Sequence, residues 1–155
     1  MAHDGSVDRT RVLFLCVHNS ARSQMAEGLL RSMAGDAVEV QSAGLIRGRL
    51  RPEAIAVMAE LGLDISAQRS KTVDDLALER FDIVVTTCEE AKEACPLFPG
   101  ARETLHWDLP DPAAVPGNDE TRLAAFREVR DELWAYIADL IRTLERDQAL
   151  ASRKR

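Results

Sequence analysis

No apolar run in this 155-residue chain approaches the roughly 20 residues that a membrane-spanning helix requires. The polar start Met1-Ala2-His3-Asp4-Gly5-Ser6 also lacks the apolar core of a secretion signal, so a cytoplasmic protein is expected. Cysteine is scarce and odd in number, at three, which suits a reducing compartment and excludes a secreted disulfide framework. The three thiols are left with catalytic, redox, metal-binding or packing roles. No histidine pair accompanies them at zinc spacing, so no metal site is expected. Aromatic residues make up only 5%, and tyrosine occurs once, as Tyr136 inside an apolar helical pattern where packing is its expected role. Positive charge is in deficit: the net charge of -6 excludes general attraction to nucleic acid or to an acidic membrane. The basic end Arg153-Lys154-Arg155 then reads as a solvated tail. Repeats, linkers and low-complexity blocks are absent, which leaves one domain of ordinary globular composition.

What is present alternates between strand and helix patterns. Residues 1–9 read as a disordered tail, 10–147 as a single catalytic α/β domain and 148–155 as a polar tail. Arg11 to Cys16 is a buried strand, and Ala21 to Ala34 a helix with Met25, Leu29, Leu30 and Met33 inward. Val38 to Ser42 forms a second strand closing on Ala43-Gly44. Pro52 opens a helix whose apolar face is Ala54, Ile55, Val57, Met58 and Leu61, and Gly62 stops it. Val73 to Glu79 is a short helix, Phe81 to Thr86 a strand buried on both faces, and Thr104 to Trp107 a last strand. A final helix over about 119–147 carries Leu123, Phe126, Val129, Leu133, Ile137, Leu140 and Leu144 at spacings of three and four. The predicted architecture is three-layered: a four-stranded parallel sheet flanked by helices, with ligands beyond the strands' carboxyl ends.

The chemistry concentrates in Cys16-Val17-His18-Asn19-Ser20-Ala21-Arg22-Ser23, between the first strand and the first helix. Strand, tight loop and helix together form an anion cradle of backbone N–H groups. Cys16 at its start is placed to act as a thiolate nucleophile. Arg22, after five intervening residues, offers a planar fork for two oxygens of a tetrahedral oxyanion. His18, Ser20 and Ala21 supply loop backbone, Asn19 can bridge loop groups, and the Ser23 hydroxyl can donate to the thiolate. For Asn19 and Ser23 the competing role is ordinary helix capping, and for Cys16 it is packing at a strand end.

These residues, with Gln24-Met25-Ala26-Glu27-Gly28, Ser42-Ala43-Gly44, Asp82 to Cys88, Cys95-Pro96, His106-Trp107 and Asp111-Pro112-Ala113, resemble the arsenate reductases related to low-molecular-weight protein tyrosine phosphatases. The likeness spans about residues 11–140, and the branch it resembles most is the thioredoxin-coupled one. That resemblance implies a phosphatase-like fold and reduction of arsenate to arsenite in arsenic detoxification, with phosphate or sulfate as analogues. It implies a relay in which Cys16 attacks arsenic, Cys88 attacks Cys16, and Cys95 takes the disulfide to thioredoxin. It further implies that Asp111 protonates the departing oxygen, although Asp108 lies close by and an Asp-Pro pair can simply start a turn. Six residues separate Cys88 from Cys95; on a helix that is ~10 Å, beyond the ~7 Å reach of a disulfide, so the segment must unwind or bulge.

Two departures refine the expectation. The phosphatase branch carries tyrosines after its Asp-Pro pair and an aromatic after its second strand; here stand Ala113-Ala114 and an aromatic-free Leu45 to Pro52. A flat aryl phosphate would want such walls, whereas a small oxyanion needs none. Some reductases of this type hold potassium with residues matching Asn19, Glu27 and Ser42 plus an acidic residue, and Lys71 stands in that last place. Its ammonium is expected to replace the cation against Glu27. The alternatives are a phosphotyrosine or phosphomonoester phosphatase using Cys16, Arg22 and Asp111, a reductase served by mycothiol or glutathione, and a non-catalytic arsenite-binding thiol protein. A monomer without bound cofactor is expected.

Overall fold

A computed structural model describes residues 9–76, 79–88 and 101–153. Strand β1 (Thr10–Cys16) is the apolar run TRVLFLC, and its last five residues are buried. Helix α1 (Arg22–Ala34) follows, and ends at Gly35, whose φ of 59° turns its N–H back onto the Arg31 carbonyl. Strand β2 is Val38–Gly44, and helix α2 is Pro52–Ala59 with proline in its first turn. Strand β3 is Ile83–Thr86, β4 is Glu103–His106, and the long helix α3 is Asp119–Arg153. The strands form one parallel sheet in the order β2-β1-β3-β4. This is the predicted four-stranded α/β sheet, and its two inner strands, β1 and β3, are the most apolar and most buried.

Alternation along β1 divides the core. Val12 and Phe14 join Val40, Ile83 and Val85 against Met25, Leu29 and Leu30 of α1, Met58 of α2, and Phe126, Leu133 and Ile137 of α3. Leu13 and Leu15 face the other way with Leu76, Phe81, Val84, Cys16 and Cys88. Each fully buried Phe or Leu contributes about 1.5–3 kcal/mol relative to exposure. Trp107, just past β4, lies 5.6 Å from the Phe14 ring and stacks at 4.9 Å on Tyr136 of α3. Tyr136 therefore packs, as expected, and anchors the segment that follows β4.

The expected boundaries shift in four places. Arg9 is not part of a loose tail: it pairs with Glu39 at 2.8 Å, while residues 1–8 lie outside the described residues. Leu61 falls beyond the end of α2 and is 39% exposed, because the helix ends at Ala59 and Leu61 already lies in the tighter turn, donating to Met58 O at 3.0 Å, that leads into Gly62 (φ 77°). Val73–Leu76 is a 3-10 turn that does not extend as a helix to Glu79. Helix α3 continues through 148–153, past the expected end at 147.

Strand β2 ends on Gly44 because the loop after β1 lies directly against it. A Cβ there would stand 2.7 Å from Asn19 N and 2.7 Å from Val17 O, both backbone atoms that cannot swing aside. Gly44→Ala is expected to cost about 2–3 kcal/mol of stability, read from urea denaturation. An unchanged midpoint would show that the loop steps back freely.

Candidate active site

The loop between β1 and α1 is held by its carbonyl oxygens. Cys16 O accepts from Leu45 N (3.2 Å), Val17 O from Ile46 N (2.9 Å) and Ser20 O from Arg51 N (2.9 Å). His18 O accepts from the Ser70 hydroxyl (2.9 Å), and Asn19 O from the Gln24 amide (3.0 Å). Ala21 O begins helix α1 through Met25 N (2.9 Å). A trans peptide points its N–H opposite to its C=O, so outward carbonyls turn the loop's N–H groups toward the cavity. Helix α1 adds its positive end: no side chain caps it and no acidic residue occupies its first turn. Asn19 and Ser23 are thus not helix caps; both are spent on the network behind the loop.

That network has a definite polarity. Asn19, fully buried at φ 52°, accepts at Oδ1 from Lys71 N (2.8 Å) and Gln24 Nε2 (3.1 Å), which fixes its amide orientation. Its Nδ2 donates to Ser42 Oγ and to Ser23 Oγ, each at 2.9 Å. Ser42 in turn donates to Glu27 Oε1 at 2.5 Å, since a carboxylate only accepts. Ser23 Oγ already accepts a hydrogen bond from Asn19, so its own hydroxyl hydrogen is free to meet Cys16 Sγ at 2.8 Å. Glu27 is buried and paired with Arg31 at 2.6 Å, with Lys71 Nζ 3.8 Å from its other oxygen.

In front of the loop is a cavity of ≈ 540 Å³, lined by Cys16, Val17, His18, Ser20, Ala21, Arg22, Arg51, Asp108, Leu109, Asp111 and Ala113. Cys16 is 3% exposed at its floor. Arg22 donates from Nη1 to Leu109 O at 3.0 Å, which ties the cradle to the segment carrying both aspartates. Asp111 caps the 3-10 turn Pro112–Ala114 through Oδ1, accepting from Ala113 N at 3.0 Å. It therefore does what a turn-starting aspartate does and also faces the cavity. Asp108 lines the same cavity, so the geometry brings both acids to the site. His18 is exposed at the rim.

Cys88 lies two residues past the end of β3, on the strand next to β1. It is 1% exposed and belongs to the same buried cluster as Cys16. Adjacent parallel strands are about 4.8 Å apart, so the two thiols come from neighbouring strand ends. Cys95 falls within residues 89–100, outside the described residues. Among the described residues no group of three or more His, Cys, Asp or Glu side chains converges as a metal site. No helix among them is long and apolar enough to cross a membrane.

Several residues of the site have roles that the sequence did not assign. Gln24, singled out in the sequence only as part of the resemblance, is fully buried, and its Nε2 also reaches Arg69 O at 3.0 Å. Gln68 Nε2 donates to Gln24 Oε1 at 2.8 Å, and Arg31 clamps Glu27. Arg51 is read from sequence as loop, yet it lines the cavity.

Residues 11–150 match the low molecular weight phosphotyrosine protein phosphatase family. An arsenate reductase of Halalkalibacterium halodurans is 44% identical over 132 residues, 85% of this chain and 95% of that protein. One of Bacillus subtilis is 41% identical over the same shares of each chain. Among solved structures, an arsenate reductase in its phosphate-binding state is 33% identical with a TM-score of 0.72, covering 86% of this chain and 98% of that one. A thioredoxin-dependent arsenate reductase of Corynebacterium glutamicum is 31% identical, with a TM-score of 0.71, covering 90% of this chain and 63% of that one.

The polarity of the network yields a test independent of turnover. Ser23→Ala removes the hydroxyl that faces Cys16 and is expected to slow iodoacetamide alkylation of Cys16 about tenfold at neutral pH, followed by peptide mass. Equal rates in wild type and variant would mean that Ser23 only packs.

Proposed function

We propose that this chain, which belongs to the family of low-molecular-weight phosphotyrosine protein phosphatases and their arsenate reductase relatives, reduces arsenate to arsenite through a three-cysteine relay. Cys16 thiolate attacks arsenic while the loop amides and Arg22 hold the oxygens, and Asp111 protonates the oxygen that leaves as water. Cys88 then attacks Cys16 sulfur. The electron pair of the sulfur–arsenic bond passes to arsenic, so As(V) leaves as arsenite and a Cys16–Cys88 disulfide forms. Cys95 attacks Cys88, freeing Cys16, and a thioredoxin dithiol reduces the Cys88–Cys95 bond. Free arsenate, rather than a protein-bound ester, is the substrate, the setting is the cytoplasm, and the enzyme works as a monomer.

The observation that carries this reading is the burial of both inner thiols. Cys16 is 3% exposed and Cys88 1%, in one cluster on adjacent strand ends. A bond between them lies beyond the reach of any external dithiol, which must contact a sulfur to exchange. The oxidised pair needs a third thiol to bring it out, and Cys95 is the one remaining cysteine. A phosphatase would use Cys16, Arg22 and Asp111 and leave the pairing of Cys16 with Cys88 without purpose. An arsenite-binding protein would leave Arg22 and the cradle idle.

The residues that match a potassium site do not fit a potassium ion here. Asn19 turns its donor end toward Ser42, its carbonyl oxygen is taken by Lys71 N and Gln24, and Glu27 already has Arg31 and Lys71 beside it. Lys71 and Arg31 supply the positive charge that Glu27 needs, and catalysis requires no monovalent cation.

Two measurements test these statements. With thioredoxin, thioredoxin reductase and NADPH, Cys16→Ser, Cys88→Ser and Cys95→Ser should each abolish multiple-turnover arsenite formation. In the same assay Asp111→Asn should lower kcat by about 10²-fold and Asp108→Asn by less than about fivefold. Turnover that survives loss of Cys88 or Cys95 would sink the relay and favour mycothiol, glutathione or simple hydrolysis. Replacing choline chloride by potassium chloride at constant ionic strength should change neither the melting temperature nor kcat/KM of the wild type. Lys71→Met should lose about 1 kcal/mol of stability and gain a response to potassium. Potassium stimulation of the wild type that Lys71→Met leaves unchanged would overturn the role of Lys71.

A further inference from the structure

A second guanidinium faces the same cavity. Arg51 stands just before α2, and its backbone N–H donates to Ser20 O at 2.9 Å, so its position is fixed to the cradle itself. Its side chain lines the cavity with Cys16 and Arg22. Nη2 donates to Glu53 Oε2 at 3.1 Å, and Arg122 Nε of α3 reaches the same oxygen at 3.2 Å. Burial pushes the Glu53 carboxyl up, but its own backbone amide and the two arginines outweigh this and hold it below the usual range. Arg122 has a second partner in Asp119 at 3.0 Å, whereas Arg51 meets Glu53 through one oxygen and one Nη2 contact only. The Nε–H of Arg51 is buried and meets no acceptor among the described residues. A buried guanidinium donor without an acceptor is unfavourable, and the side chain that carries it lines the anion cavity.

From this arrangement we infer that Arg51 binds the outward oxygen of a free tetrahedral oxyanion and thereby selects it over phosphate esters. The inference rests on the oxyanion reading of the cradle. Loop amides and Arg22 surround the oxygens nearest Cys16, which leaves one oxygen directed toward the mouth. In free arsenate or phosphate that oxygen bears charge or a hydroxyl and accepts strongly from a guanidinium. In an aryl ester it is the bridging oxygen, a weak acceptor, and the aryl group occupies the space that Arg51 borders. A cation in a loop that has no aromatic thus discriminates where an aromatic wall would welcome the ring.

The test uses the full chain and needs no turnover. Half-protection of Cys16 from iodoacetamide is measured against inorganic phosphate and against phenyl phosphate, in wild type, Arg51→Met, Arg51→Lys and Arg49→Met. Arg49 is exposed in the same loop and is not among the residues lining the cavity, so its substitution makes the same charge change away from the site. Arg51→Met should raise the half-protecting phosphate concentration about tenfold and the phenyl phosphate value by less than about twofold. Arg51→Lys should recover part of the phosphate affinity, and Arg49→Met should stay within about twofold of wild type. In turnover, Arg51→Met should raise the arsenate KM about tenfold and leave kcat within about threefold. Equal weakening of both ligands, or an Arg51→Met indistinguishable from Arg49→Met, would overturn the inference. Should Arg51→Met unfold, the ratio of the two ligands in Arg51→Lys decides. A wild type that reduces no arsenate yet shows the Arg51-dependent phosphate protection would remove the reductase reading and leave this one standing.

Discussion

The structure depends on one constraint: the short loop after β1 must turn its carbonyls outward. Each carbonyl from Cys16 to Ser20 finds its donor on another part of the chain, from Leu45, Ile46 and Arg51 to Ser70 and Gln24. Once those bonds form, the N–H groups converge on one point without further instruction. The cost is concentrated at Asn19, a non-glycine residue at positive φ, worth about 1–2 kcal/mol of strain. Several buried hydrogen bonds at about 1 kcal/mol each offset it. Strain at that position persists because donors at the amide oxygen and acceptors at the amide nitrogen determine its orientation.

The same constraint explains why the site extends far beyond the residues that touch substrate. The Asn19 amide links the loop to Ser42 on β2 and, through it, to Glu27 on α1. Arg31 and Lys71 hold that carboxylate from opposite sides. A buried carboxylate with one partner removed costs several kcal/mol, so two cations make the support tolerant of the loss of either. This chain ends at the Ser23 hydroxyl, 2.8 Å from Cys16 Sγ, and packing behind the loop therefore bears directly on the cysteine in front of it.

Much of this was legible in the sequence. The apolar run into Cys16, the helix pattern after it and the C-x5-R spacing placed the cradle, and the alternation of strands with helices placed it at a strand's carboxyl end. Leu61 misled because Gly62 marks the stop from sequence, whereas the helix already ends at Ala59, two residues before Leu61. The limit of α3 was missed because the apolar stripe read from the sequence ends at Leu144, while the helix runs to Arg153. Arg51, Ser70 and Gln68 were invisible because polar loop residues have no period. Only the fold reveals that such residues, some 30 to 50 positions from the cradle, close around it.

The choice between hydrolysis and reduction is made outside the cradle. A thiolate, an arginine and an acid serve either chemistry, and the covalent adduct on Cys16 is the branching point. Hydrolysis needs a water to reach that adduct; reduction needs a second sulfur there. The floor of this site is nearly dry, with Cys16 at 3% exposure and Cys88 beside it in an apolar cluster with Leu13, Leu15, Phe81 and Val84. In the proposed relay, burial favours the neighbouring sulfur over solvent at the moment when the adduct must resolve. The same burial then requires that the product disulfide be carried outward, and a chain of thiols reconciles a protected interior with an external reductant; the sequence supplies three cysteines.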